Sequence, residues 1–318
     1  MKKQTFFTLI IVPTVFLAAC GNQQTAASPN SSNVTSQSQP KEKTAFPLTV
    51  TDEAGNKITI QKQPQHIVSV TEGTDEILAG LIPKSELAMV TNFSSDPQYS
   101  NVTNFVKGIP QIQDANAETI IAAKPDLVLL ASYTNQGIVN QIKQVGIPVY
   151  EFTDFTSISS IEKNIKVVGQ LLGEGKKSNQ LVHSMESKIN TISNAVKDKK
   201  KLQVLDYSSY GYAAGDNTTV NQMIEMAGGI NAAKGLNGWQ KISEEEIVKL
   251  NPDVIIVAES DKGFEKKVLS NSALQNVNAV KNKQVFAING ADLSSVSQYI
   301  INGVSDVAHV LYPDVKLQ

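Results

Sequence analysis

Residues 118–128 read Glu-Thr-Ile-Ile-Ala-Ala-Lys-Pro-Asp-Leu-Val, and residues 245–255 read Glu-Glu-Ile-Val-Lys-Leu-Asn-Pro-Asp-Val-Ile. The two stretches share one pattern. A short amphipathic helix runs into Pro125-Asp126 or Pro252-Asp253, and a branched apolar run follows at once (Leu127–Leu130, Val254–Val257). Proline just past a helix end stops the helix, and an unbroken apolar run of this length has the character of a central parallel strand. The second copy begins 127 residues after the first, about one domain. The pair therefore predicts an α/β fold of two similar lobes.

Reading outward from the first copy, Leu48–Thr51 and Lys57–Ile60 flank a turn at residues 52–56 and predict a hairpin. Strands are expected at Ile67–Val70, Leu87–Val90 and Val149–Phe152, with helices at Asp75–Leu81 and Gln136–Val145. Around the second copy, strands are expected at Gln203–Leu205 and Val285–Ile288, and helices at Val220–Ala227 and from Val296 to Leu311. Alternating strands and helices imply mostly parallel sheets flanked by helices. Between the lobes lie Ile158–Leu172 and then Lys177–Val196, with apolar residues at 181, 185, 189 and 192. A helix of about 20 residues spans roughly 30 Å, so it can join two lobes as a single strut. The organisation expected is a first lobe over residues 46–157, linking helices over 158–200 and a second lobe over 201–318.

The N-terminus reads as an address. Met1-Lys2-Lys3 is followed by an apolar run from Phe6 to Leu17 and small residues, the charge and order of a secretory signal. The run is shorter than the roughly 20 apolar residues that span a bilayer. Leu17-Ala-Ala-Cys20 resembles a bacterial lipobox. On that reading residues 1–19 are a signal peptide and Cys20 carries lipid, holding the protein to the outer face of the cell membrane. Residues 21–45 are polar, with Val34 their one branched apolar residue, and read as a flexible tether.

Composition excludes several functions. The 318 residues carry a formal net charge of −2, without the basic surface that nucleic acid demands. All 28 basic residues are lysine, so no arginine fork is available to clamp a carboxylate or phosphate. One cysteine and three scattered histidines do not make a zinc site, and no metal site or cofactor is expected. No G-x-S-x-G elbow is present, and Gly175-Lys176 lacks the glycine five positions earlier that a phosphate loop needs. No enzyme is expected.

The order of several segments carries a resemblance. They are the lipobox, the polar tether, Pro64-Gln-His-Ile-Val-Ser-Val70, the motif from Glu118, the linking helix, Ala227-Gly-Gly-Ile-Asn231, the second Pro-Asp copy and Ala279-Val-Lys-Asn-Lys-Gln-Val-Phe286. Over about residues 46–315 the chain resembles the helical-backbone (class III) substrate-binding lipoproteins of bacterial ATP-driven importers for ferric siderophores, haem and cobalamin. The resemblance implies two Rossmann-like lobes that hold a metal chelate between them. It also implies a monomer that delivers the chelate to an ABC permease dimer with its ATPase, and a strut that limits closure. In such receptors one exposed Glu on each lobe pairs with permease arginines. Here that role falls on Glu118 and Glu245, the first residues of the two copies, which otherwise serve only as first-turn acids favoured by the helix dipole.

Ligands of open α/β sheets sit beyond the carboxyl ends of the strands. That rule nominates Thr71 and Glu72, Asn92 and Phe93, and Tyr133 in the first lobe. In the second it nominates the aromatic loop with Tyr207, Tyr210 and Tyr212, then Trp239 in a loop, and Lys262 as a basic group for an anionic chelate. Aromatic faces with polar tips suit a large half-polar chelate. Haem receptors of this kind place an axial Met before the first motif helix and a His after the second motif strand. Residues 111–117 hold no Met and residues 258–263 no His, which disfavours haem. An iron complex of the siderophore type is the expected ligand, with a corrinoid as the alternative. A surface adhesion lipoprotein of the same fold is the alternative of another class.

Overall fold

A computed structural model describes residues 45–316. The chain enters through an antiparallel hairpin of β1 (Leu48–Thr51) and β2 (Lys57–Ile60). The Asp52 carboxylate closes its turn by accepting from the Asn56 backbone N–H at 2.6 Å. The first lobe follows as β3 (Ile67–Ser69), α1 (Glu72–Leu81), β4 (Leu87–Thr91), β5 (Gln111–Ile112), α2 (Ala117–Ala122), β6 (Leu127–Ala131), α3 (Gln136–Gln144) and β7 (Val149–Phe152). Two linking helices come next, α4 (Ile158–Leu171) and α5 (Gly175–Val196). The second lobe holds β8 (Gln203–Asp206), β9 (Tyr212–Ala214), α6 (Thr219–Met226), β10 (Ile230–Asn231), β11 (Trp239–Lys241), α7 (Glu244–Leu250) and β12 (Val254–Ala258). It ends with α8 (Phe264–Ser270), α9 (Asn278–Lys281), β13 (Val285–Ile288), α10 (Gly290–Ser294) and α11 (Ile300–Leu311).

Both principal sheets are wholly parallel. Their strand orders are β5-β4-β3-β6-β7 and β10-β8-β12-β13. In each sheet the chain steps outward on one side and then returns to build the other. The reversal falls between β3 and β6 in the first lobe and between β8 and β12 in the second. Such switch points leave a crevice at the strand ends, the standard place for a ligand in an open sheet.

The repeated motif makes the same joints in both lobes. Asn116 caps α2 by accepting from the Thr119 N–H, and Ser243 caps α7 in a reciprocal box with Glu246. Each helix ends on a residue turned into the left-handed region, Lys124 at φ 51° and Asn251 at φ 44°. The proline that follows cannot continue the helix. The aspartate after it then sews the new strand to its neighbour. Asp126 accepts from the Gln65 and His66 N–H groups at 2.8 and 2.9 Å, and Asp253 accepts from the Gln203 N–H at 3.0 Å. Beyond that joint all five residues of β6 are buried, as are Val254–Val257 of β12.

α5 has 22 residues, about 33 Å at 1.5 Å per residue. Its apolar stripe of Val182, Met185, Ile189, Ile192 and Val196 is buried in a core continuous with both lobes. α4 crosses it closely at Gly169, where a Cβ would lie 2.1 Å from the Ser178 hydroxyl. The spine expected from the helical spacing is therefore present.

Two expectations are corrected. Trp239 is not in a loop but begins β11, which pairs antiparallel with β9. α11 begins at Ile300 and not at Val296. Residues 295–299 stay out of the helix because their side chains are engaged elsewhere. The Ser295 and Ser297 hydroxyls donate to Glu76 Oε2 at 2.8 and 2.5 Å, and Gln298 Nε2 donates to the Glu76 carbonyl at 2.5 Å. This seam ties α1 of the first lobe to the C-terminal part of the second.

Candidate functional site

A cavity of about 550 Å³ opens at the carboxyl ends of β3, β4 and β6, against the first switch point. The joint between β3 and α1 supplies Thr71, and the first residue of α1 supplies Glu72; the segment after β4 supplies Phe93, and the loop after β6 supplies Tyr133. Val296 and Ser294, from the second lobe's end, also reach it. Tyr133 is 77% exposed, yet its hydroxyl is fixed by donating to Thr71 Oγ1 at 3.1 Å. Phe93 meets Tyr99 edge to face at 5.7 Å, and both rings are about half exposed. Tyr99 and Asp114 line the cavity without having been nominated. A proline-containing loop beyond β4, with an aromatic at its tip, is the signal that could have found Tyr99. Asn92 does not line the cavity; its Oδ1 is buried without a hydrogen-bond partner.

Three acids stand on α1 beneath this cavity, and their surroundings differ. Asp75 is fully buried, and its Oδ2 accepts from the Thr91 N–H at 2.9 Å and hydroxyl at 2.6 Å. Burial outweighs those bonds and pushes its pKa up to about 7. Glu76 is also fully buried, with Oε1 accepting from the Asn101 N–H at 2.8 Å and Oε2 from the two serines of the seam. Glu72 lines the cavity, and its Oε1 has no hydrogen-bond partner. Burial, and then the neighbouring Glu76 carboxylate, push the Glu72 pKa up to about 9. Among the described residues, no lysine or histidine lines this cavity.

The second-lobe candidates lie apart from it. Tyr207 is partly buried against Phe264, with ring centroids 5.4 Å apart, while Tyr210 is 79% exposed. On the small hairpin Trp239 faces Ala214 and Lys241 faces Tyr212, with Lys241 Nζ 5.5 Å from the Tyr212 ring centre. Lys262 is exposed in the loop after β12. That loop is tied to the one after β8 by the Ser209 N–H, which donates to Asp261 at 2.9 Å. None of the five lines the first-lobe cavity. Asp206, the last residue of β8, is fully buried, and burial pushes its pKa up to about 7. The sequence reading missed this residue.

Glu118 and Glu245 are exposed in the first turns of α2 and α7. Cys20 and the signal segment lie outside the described residues. Among the described residues, no helix is long and apolar enough to cross a membrane, and no cluster of three or more metal-ligating side chains is present.

Two parallel-sheet lobes on a helical spine, with a cavity at the first lobe's switch point, are the architecture of a bilobal solute-binding protein of the helical-backbone class. The chain belongs to the periplasmic binding protein family, whose pattern it matches over residues 67–291. It is 31% identical to an uncharacterised ABC transporter substrate-binding lipoprotein of Bacillus subtilis, YvrC, across 99% of each chain. It is 26% identical to a cobalamin-binding protein of Halobacterium salinarum, across 84% of this chain and 75% of that one. The crystal structure of a possible iron-binding, periplasmic solute-binding protein from Staphylococcus epidermidis superposes with a TM-score of 0.69. The two are 28% identical, and the match covers 79% of this chain and all of the other. The chain is the substrate-binding component of an ABC importer, a partner of permease and ATPase components, and not an enzyme.

Proposed function

We propose that this protein captures an iron complex of the siderophore type between its lobes and delivers it to its permease. The observation that carries the reading is the cavity at the first switch point, rimmed by Phe93, Tyr99 and Tyr133 and open toward the second lobe's end at Val296. Aromatic rims with a few polar groups suit the large half-polar surface of a metal chelate. Tyr207, Tyr210, Tyr212, Trp239 and Lys262 would meet the same ligand from the second lobe. A corrinoid is the second reading, and the breadth of the match to the halobacterial cobalamin-binding protein favours it. Haem is disfavoured by the absence of a Met in residues 111–117 and of a His in residues 258–263.

The remaining roles follow from the sequence. Cys20 would carry the lipid that holds a monomer at the outer face of the cell membrane, as the description of the Bacillus relative as a lipoprotein supports. Glu118 and Glu245 would dock the two lobes on the two halves of a permease dimer. Fluorescence titration with a ferric trihydroxamate, a ferric tris-catecholate, cyanocobalamin and haem tests the reading. A saturable 1:1 change with an iron chelate is expected. Saturation by cyanocobalamin alone would move the assignment to the corrinoid, and no response to any chelate would favour an adhesion role.

A further inference from the structure

The charge around the cavity is one-sided. Glu72 and Asp114 line it, Asp75 and Glu76 lie beneath it on α1, and no lysine or histidine among the described residues reaches its lining. Lys241 and Lys262 stand on the second lobe, outside that lining. The chain has no arginine at all. An anionic chelate entering this cavity would meet carboxyl groups and no fixed countercharge, in a site where burial weakens the screening by water.

A second observation concerns hydrogen bonds. Three buried acceptor oxygens near the ends of β3 and β4 have no donor: Glu72 Oε1, Asp75 Oδ1 and Asn92 Oδ1. Asp75 and Glu76 hold their positions through protein donors, the Thr91 N–H and hydroxyl for one and the Asn101 N–H with two serine hydroxyls for the other. Glu72 is the member of the trio that lines the cavity. Buried acceptors without donors are costly, and a ligand that supplies a donor removes that cost on binding.

Resting on the reading of this cleft as a chelate receptor, we infer that its ligand is a metal chelate of zero or positive net charge that presents an N–H or ammonium donor to Glu72. Glu72 is then the residue that selects against anionic chelates. In the empty cleft its raised pKa keeps the carboxyl protonated near neutral pH. A cationic group drives that proton off to solvent and pairs with the carboxylate left behind, whereas an anionic chelate can at most accept from the neutral carboxyl O–H and opposes its ionisation.

The test is a charge series measured by calorimetry on the mature full chain. The probes are a ferric trihydroxamate ending in a primary ammonium, the same complex with that amine acetylated, a ferric tris-catecholate, and cyanocobalamin with its neutral ring of carboxamides. The ammonium form is expected to bind about tenfold more tightly than the acetylated form, the scale of one charge-assisted hydrogen bond, and the tris-catecholate more weakly than either. Glu72→Gln is expected to erase the ammonium preference while changing affinity for the acetylated complex less than about threefold. If cyanocobalamin is the tight ligand, Glu72→Gln, which offers its own acceptor, is expected to keep most of the affinity and Glu72→Leu to lose about tenfold. Tris-catecholate binding as tight as the neutral complex overturns the charge inference and leaves the chelate reading standing. An unchanged charge preference in Glu72→Gln overturns the role of Glu72. A folded wild-type protein that binds no probe in the series ends the chelate reading and this inference together. The wild-type series needs no variant, so the charge claim stays testable even if a substitution disturbs folding.

Discussion

The two lobes are alike in their joints and unlike in the faces beyond their strand ends. Both build a parallel sheet with one reversal, and both start a central strand with a capped helix, a left-handed residue and Pro-Asp. Yet the first lobe gathers Thr71, Glu72, Phe93 and Tyr133 into one cavity. The second spreads its aromatics over a loop and a small hairpin, none of them reaching that cavity. A repeated motif thus carries the scaffold, while the loops after the strands carry what differs between the two halves. The seam is one-sided too: Glu76 on the first lobe accepts three hydrogen bonds across it, from Ser295, Ser297 and Gln298.

That asymmetry is open to direct attack. The largest effect is expected at the seam. Glu76→Ala leaves Ser295, Ser297 and the Asn101 N–H without their acceptor, and a loss of about 2–4 kcal/mol in urea unfolding is expected. A loss below about 0.5 kcal/mol, the range of ordinary surface substitutions, would mean the seam is dispensable. Next come the two repeat aspartates. Asp126 holds two backbone N–H groups and Asp253 one. Asp126→Ala is therefore expected to cost about 2 kcal/mol and Asp253→Ala about 1. The reverse order would break the equivalence drawn between the joints.

How far this was legible depends on the range of the contacts. The hairpin of β1 and β2, the strand β7 and the spine were readable because period and turn chemistry are local. The Pro-Asp pair was visible as a repeat, but its work on Gln65, His66 and Gln203 was not. Those partners lie at the start of the neighbouring strands β3 and β8, some 50–60 residues away in sequence. The pairing of β9 with β11 joins segments of three residues each, too short for any periodicity to register, so Trp239 read as loop. Ser295–Gln298 continued a helical pattern, and only Glu76, more than 200 residues earlier, explains why they leave it. Tyr99 and Asp206 were missed because burial and cavity lining are properties of the fold.

Two smaller effects sharpen the comparison further. Asp75 and Asp206 are buried acids, one per lobe, each with its pKa pushed up to about 7 by burial. An unfolded aspartic acid loses its proton near pH 4, whereas these hold theirs until about 7. The folded state thus binds more protons across that window, and stability is lost as pH rises through it. Melting temperature is expected to fall between pH 4.5 and roughly 7 as these two acids ionise, and to go on falling more gently toward about 9, where Glu72 gives up its proton. Asp75→Asn and Asp206→Asn are each expected to flatten that fall, and a melting temperature that climbs through this window in the wild type would contradict the assignment. The smallest effect belongs to Lys124, which occupies the left-handed position that Asn251 fills in the other repeat. Asparagine tolerates that conformation better, so Lys124→Asn is expected to stabilise by about 0.5 kcal/mol, read from the urea midpoint.

On the function proposed above, Glu118 and Glu245 would present matched carboxylates to a two-fold permease while a chelate sits between the lobes' unlike faces. The most direct measurement is uptake of an iron-55-labelled trihydroxamate and of labelled cyanocobalamin by cells carrying Glu118→Ala, Glu245→Ala or both. Ligand affinity and melting temperature are followed on the same purified variants. Both residues are exposed, so affinity and melting temperature are expected to stay near wild type. Each single variant is expected to slow uptake and the double variant to abolish it, because rim charges fix register at a docking surface. Wild-type uptake by the double variant at physiological salt would contradict the account and leave these residues only their place in the first turns of α2 and α7.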